Sequence, residues 1–176
     1  MLLSTYLLSA AAGFGGMILA ITSAALLLYS PVALRYPLIK DVYVAGLCCA
    51  PLYYGAVVGG RRYAWYLYVL LACFVLGREV LMDADELPGD SRAGVRTIAA
   101  VLGGRRTAQV GATLMLLSAA VLVAVVRGRI ETLAAIGALV CLACVFAWPG
   151  LEGSRRIHLS RFPMLLGCMA LACGGT

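Results

Sequence analysis

Acidic side chains are scarce in this sequence: eight in 176 residues, against fourteen lysines and arginines. Charged residues of both signs make up 12% of the chain, about half of the roughly 25% carried by soluble domains. Hydrophobic residues make up 63%, and the mean hydropathy is +0.98. A water-soluble globular domain is therefore not what this composition encodes. The apolar runs do not alternate in ten-residue segments, which excludes a transmembrane β-barrel. No basic stretch precedes the first apolar run, which argues against a cleaved signal peptide. The net charge of +6 sits in short loops, where basic residues set membrane orientation, so nucleic acid is not an expected partner. Ionisable residues lie in or beside these loops rather than within the apolar runs, which argues against a small cation channel or transporter.

Two reactive residue types are also sparse or badly placed for chemistry. The single histidine, His158, falls in a basic loop and reads as a surface or headgroup residue. The seven cysteines all lie in apolar segments. Cys141 and Cys144 have redox or metal spacing but no histidine or second cysteine pair nearby, so they read as small apolar packing residues.

What the sequence has in abundance is long apolar runs, each near the ~20 residues a bilayer core requires. Lipid offers backbone groups no hydrogen-bond partner, so such runs must be helical. The pattern predicts an all-α, polytopic membrane bundle forming a single domain over 1–176, with spans near 13–28, 42–58, 63–80, 108–126, 130–147 and 163–176. Pro31 and Pro37 predict a break between the first two spans, and Pro88-Gly89-Asp90 predicts a turn. Trp65, Tyr66 and Tyr68 stand at the start of the third span, as interfacial aromatics do. On this layout ten lysines and arginines fall on one side and four on the other. That asymmetry places loop 81–106 in the cytoplasm.

That loop holds most of the acid. Glu79, Asp83, Asp85, Glu86 and Asp90, five of the eight acidic residues, fall within twelve positions. If the preceding helix continues past Val80, then Asp83, Glu86 and Asp90 share one face, because residues three and four apart are neighbours on a helix. Carboxylates so placed repel one another unless a cation lies between them. Mg²⁺ suits them, since it typically binds one or two carboxylates together with substrate phosphates. A site at the membrane face points to a pyrophosphate carried by a lipid. The competing reading is a solvated loop whose acids answer neighbouring arginines, Asp90 with Arg92 for instance.

The run REVLMDADELPGDSRAGVRTIAAVLG resembles the second aspartate-rich motif of the UbiA superfamily of intramembrane prenyltransferases, approximately R-E-x-x-K-D-x-x-D-x-x-G-D-x-x-A-G-x-R-T. Arg78, Glu79, Asp83, Gly89, Asp90, Ala93, Gly94, Arg96 and Thr97 fall in register without a gap. The upstream segment YSPVALRYPLIKD is similar to the family's basic loop between two helices. The resemblance implies a bundle of nine membrane helices around a cavity open to the cytoplasm. It implies transfer of an isoprenyl group from its diphosphate to an aromatic or lipid acceptor, with Mg²⁺ at the diphosphate and an allylic cation that the acceptor attacks. It makes Asp83 and Asp90 Mg²⁺–diphosphate ligands, joined by Glu86 where the family usually has Asp. Arg35, and more weakly Lys40 and Arg96, would neutralise the diphosphate. No further catalytic side chain is assigned.

The sequence departs from the family in two ways. Met82 stands where lysine is common. The family's first motif, N-D-x-x-D-x-x-x-D, has no counterpart, so the chain resembles the last two-thirds of a prenyltransferase, truncated at its N-terminus. One metal-binding loop is expected to give little or no activity by itself. The alternative is a non-catalytic pseudoenzyme or half-subunit that binds a lipid, or a second chain supplying the missing helices. The D-G-x-x-A-R signature of CDP-alcohol phosphotransferases is missing.

Overall fold

Within the described residues the first five expected spans are helical, and several of these helices begin earlier or end later than hydropathy alone suggests. The structure is a computed structural model that describes residues 14–33, 36–58, 65–94, 96–125, 129–147, 155 and 158–166. The elements are α1 (Phe14–Ala33), α2 (Pro37–Val58), α3 (Trp65–Ala93), α4 (Ile98–Leu102), α5 (Gly104–Val125) and α6 (Arg129–Ala147). A further short helical stretch covers 161–166. Among the described residues there is no strand, as the all-α expectation requires.

Four boundaries move by several residues; one is the start of α5, at Gly104 rather than 108, so that with α4 most of the expected loop 81–106 is helical. Helix α1 continues through Pro31 to Ala33, past the expected end at 28. Helix α2 opens on Pro37, five residues before the expected span, because proline's fixed φ and missing N–H suit the first helical position. Lys40 and Asp41 are thereby helical rather than loop residues. Helix α3 runs on for thirteen residues past Val80, so 81–93, expected as loop, are its last turns, with Pro88 inside them. Pro88 cannot donate to the Ala84 carbonyl. That carbonyl faces Gly104 at the start of α5, where a Cβ would lie 3.5 Å away. The helix ends instead at Gly94, whose φ of +70° is the left-handed conformation that closes helices.

Helix α3 is the centre of the packing. It lies along α5 on one side and against α2 on the other, while α1 covers α2 and α6 covers α5. The α3–α5 crossing is made by glycine on both sides. A Cβ at Gly77 would stand 2.7 Å from the Gly111 carbonyl, and one at Gly111 would stand 2.6 Å from the Gly77 carbonyl. Small residues at a crossing let helix backbones approach closely. Around it, Phe74, Leu81, Met115, Ala119 and Leu142 form a buried cluster.

Surface and interior are partly inverted relative to a soluble protein. Asp41, Asp83, Thr97, Thr107, Ser118 and Ser160 are buried, whereas Leu26, Leu27, Val101, Leu117, Leu133 and Leu165 are exposed. Thr22, Thr107, Thr113 and Ser118 each donate to the carbonyl four residues back, satisfying their hydroxyls locally. Helix α5, at 22 residues, is long and apolar enough to cross a membrane; Gly16–Leu27 and Thr132–Ala147 are shorter apolar helices. The expected span 163–176 lies mostly outside the described residues. The expected packing role holds least well for the cysteines: Cys48, Cys141 and Cys144 are free and exposed on helix surfaces.

Candidate functional site

The acidic stretch is a stripe on a single helix. With 3.6 residues per turn, Glu79, Asp83, Glu86 and Asp90 fall within about 60° of arc on α3, and Asp85 points to nearly the opposite side. Gly77 and Leu81 face α5, and Asp83 lies about 120° round the helix from Gly77, on the side of α2. Glu86 and Asp85 are exposed, Asp90 is half-buried, and Asp83 is almost completely buried. Nowhere do the described residues gather three His, Cys, Asp or Glu side chains around one point. Asp83, Glu86 and Asp90 thus share a face, as their spacing requires, but they do not converge.

Burial of Asp83 is made possible by α2. Lys40 Nζ donates to Asp83 Oδ1 at 2.6 Å, and the same ammonium lies 3.6 Å from Asp41 Oδ1. The first distance is a charge-assisted hydrogen bond. The second is an ion-pair distance but too long for a hydrogen bond. Lys40 keeps about a fifth of its side chain exposed. The pair joins residues 43 positions apart in the sequence. Nearby, Arg78 donates to Glu79 at 2.9 Å. Met82, at the position where the similar motif commonly has lysine, is half-buried against the core.

The sequence did not single out Asp41. It is fully buried, and neither of its carboxylate oxygens has a hydrogen-bond partner among the described residues; Asp83 Oδ2 is in the same condition. Burial pushes the Asp41 carboxyl up to about 6; the Asp83 carboxylate adds to the rise and Lys40 opposes it. One signal was available: Asp41 is one of three acidic residues outside the acidic stretch and directly precedes an apolar run. Arg35 lies outside the described residues, and Arg96 is exposed between α3 and α4.

Three buried carboxylate oxygens without a donor fit a hard cation, which takes oxygen ligands and is commonly held by one or two carboxylates. Two of these oxygens belong to Asp41 and one to Asp83; Glu86 and Asp90, further along the stripe, carry none of them. Thr97, at the start of α4, is buried with its hydroxyl unpartnered and makes no capping bond. Thr97→Val keeps the shape and removes that orphan. It is expected to leave the thermal midpoint unchanged or raise it by about 2–4 °C, and a drop measured by circular dichroism would show that the hydroxyl has a partner.

No family model matches the chain, and no solved structure matches it. Curated relatives do. Digeranylgeranylglyceryl phosphate synthase of Natronomonas pharaonis is 38% identical over 97 residues, covering 54% of this chain and 35% of that protein. The similarity is to part of a UbiA-type prenyltransferase. The enzyme of the same name from Pyrococcus furiosus is 32% identical over 77 residues, 43% of this chain and 28% of its own length. That from Thermococcus kodakarensis is 35% identical over 83 residues, 47% and 30%. The chain thus spans about a third of the length of the curated prenyltransferase relatives it matches.

Proposed function

We propose that this chain is the diphosphate-binding part of a membrane prenyltransferase. It would act in transfer of an isoprenyl group from its diphosphate to a small acceptor. The observation that carries the reading is Asp83. It is buried at the centre of a helical acidic stripe, with one carboxylate oxygen held by Lys40 and the other without a donor. When bound there, Mg²⁺ supplies neutralisation of the leaving diphosphate. Asp83 holds its position through Lys40, Glu86 and Asp90 extend the negative stripe towards the end of α3, and Arg35, Lys40 and Arg96 bind the diphosphate oxygens. Lys40 suits these two tasks in turn, since it is partly exposed on a flexible stem. The relatives are named for a product with two geranylgeranyl chains on glyceryl phosphate, which favours a lipid acceptor over an aromatic one.

Exposed apolar side chains along the helices support a multi-pass position in the membrane, with membrane lipid or a second chain covering them. The lysine and arginine asymmetry orients the acidic end of α3 to the cytoplasm. The test is Mg²⁺-dependent binding of a short-chain prenyl diphosphate by the purified chain. Binding is expected, and it should vanish in Asp83→Asn/Asp90→Asn. If the folded chain binds none with Mg²⁺ present, the enzyme reading fails. A non-catalytic half-subunit, in which Lys40 permanently fills the carboxylate site, then takes its place.

A further inference from the structure

Asp41 belongs to no motif that the sequence suggests, yet it is the most deeply buried acid among the described residues. Its environment is unbalanced. Two carboxylates, Asp41 and Asp83, are both almost fully withdrawn from solvent, and a single ammonium stands between them at 3.6 and 2.6 Å. Burying a charged carboxylate without partners is strongly unfavourable. The ammonium gives Asp83 a hydrogen bond and leaves both oxygens of Asp41 and one of Asp83 without any. Arg78, the next cation, donates to Glu79 instead. Lys40 is a monovalent cation on a flexible tether, and it reaches this position from the first turn of α2.

We infer that Asp41 and Asp83 form a divalent-cation site between α2 and α3, in which the Lys40 ammonium is the resident competitor. This deepens the prenyltransferase reading: it gives the cation a carboxylate from a second helix, outside the acidic stripe. When a divalent ion enters, Lys40 is displaced towards the partly open side, where the diphosphate would lie. Lys40 thus links cation entry to anion binding, because the same ammonium cannot serve the carboxylates and the phosphates at once. Asp41 carries no proton-transfer role here; its oxygens are ligands.

The test uses Mn²⁺ alone, with no diphosphate, on the purified full chain in detergent micelles. Bound ion is read from loss of the free-Mn²⁺ electron paramagnetic resonance signal, and helix content is followed by circular dichroism. Lys40→Met removes a positive charge within 4 Å of the site and is expected to tighten Mn²⁺ binding at least about tenfold. Adding Asp41→Asn to Lys40→Met should return binding to the weak level of the unaltered chain or below, and Asp83→Asn should do the same. If Lys40→Met/Asp41→Asn binds as tightly as Lys40→Met, or if Lys40→Met gives no gain in a folded protein, the inference is wrong. These outcomes are separable from the fate of the parent reading. Mg²⁺-dependent prenyl diphosphate binding that survives Asp41→Asn but not Asp83→Asn overturns the two-helix site and keeps the enzyme. Mn²⁺ binding that requires Asp41, in a chain that never binds prenyl diphosphate, keeps the site and removes the enzyme.

Discussion

Gly111→Ala is expected to force the two central helices apart. The added methyl would stand 2.6 Å from the Gly77 carbonyl oxygen, 2.9 Å from the Leu81 nitrogen and 3.2 Å from the Leu81 Cα. All three are backbone atoms, so no side chain can rotate out of the way, and α3 and α5 must separate along their crossing. Overpacking of a tight core costs about 1–3 kcal/mol, and backbone collisions fall at the upper end. The reverse change, Gly77→Ala, meets the Gly111 carbonyl at 2.7 Å and should cost a similar amount. The comparison that isolates the effect is Gly55→Ala in α2, where a Cβ would meet nothing within 4 Å. There alanine's helix preference should stabilise by up to about 1 kcal/mol. Thermal unfolding in micelles, followed by circular dichroism, separates the two. Equal midpoints for Gly111→Ala and Gly55→Ala would show that the helices do not cross at these glycines.

Asp83→Asn is expected to abolish transfer in an enzyme assembled from this chain and a segment carrying the first aspartate-rich motif. Asparagine keeps the volume and leaves Lys40 a hydrogen-bond acceptor, so helix content and expression should be unchanged. The carboxylate charge is what is lost. Stabilising charge at a phosphoryl leaving group is worth several kcal/mol. At 1.36 kcal/mol per factor of ten, that predicts a fall in turnover of at least about 100-fold. Asp90→Asn should act in the same direction, while Asp85→Asn, on the far side of α3, should leave turnover unchanged. A fully active Asp83→Asn enzyme would remove the metal assignment, and an inactive Asp85→Asn enzyme would show that the stripe is drawn on the wrong face. Because asparagine preserves packing, this loss is distinguishable from the unfolding that Gly111→Ala should cause.

Much of this protein is local, and local features were legible in the sequence. Apolar run length gave the helices, and the scarcity of strand-like alternation gave the all-α class. Spacing of three and four put Asp83, Glu86 and Asp90 on one face, on condition that the helix continued past Val80. The structure meets that condition through Ala93. Hydropathy put the boundary at 80 because charge resembles loop, and Pro88-Gly89-Asp90 resembles a turn. A helix packed on its neighbour tolerates both, since Gly104 covers the carbonyl that Pro88 leaves open.

What the sequence left undecided is which faces meet. Helix periodicity fixes angles about one axis and says nothing of the neighbour opposite. The crossing at Gly77 and Gly111 decides the rotation of α3, and that rotation turns Asp83 towards α2. Only then does Lys40, 43 residues away in the chain, come within ion-pair distance of Asp83, with Asp41 next to it. Along the sequence Lys40 and Asp41 read as the end of a basic loop. Packed beside Asp83, Asp41 becomes the second carboxylate of a candidate cation site and Lys40 the cation that occupies it, because a carboxylate withdrawn from water must find its compensation in whatever helix packs against it.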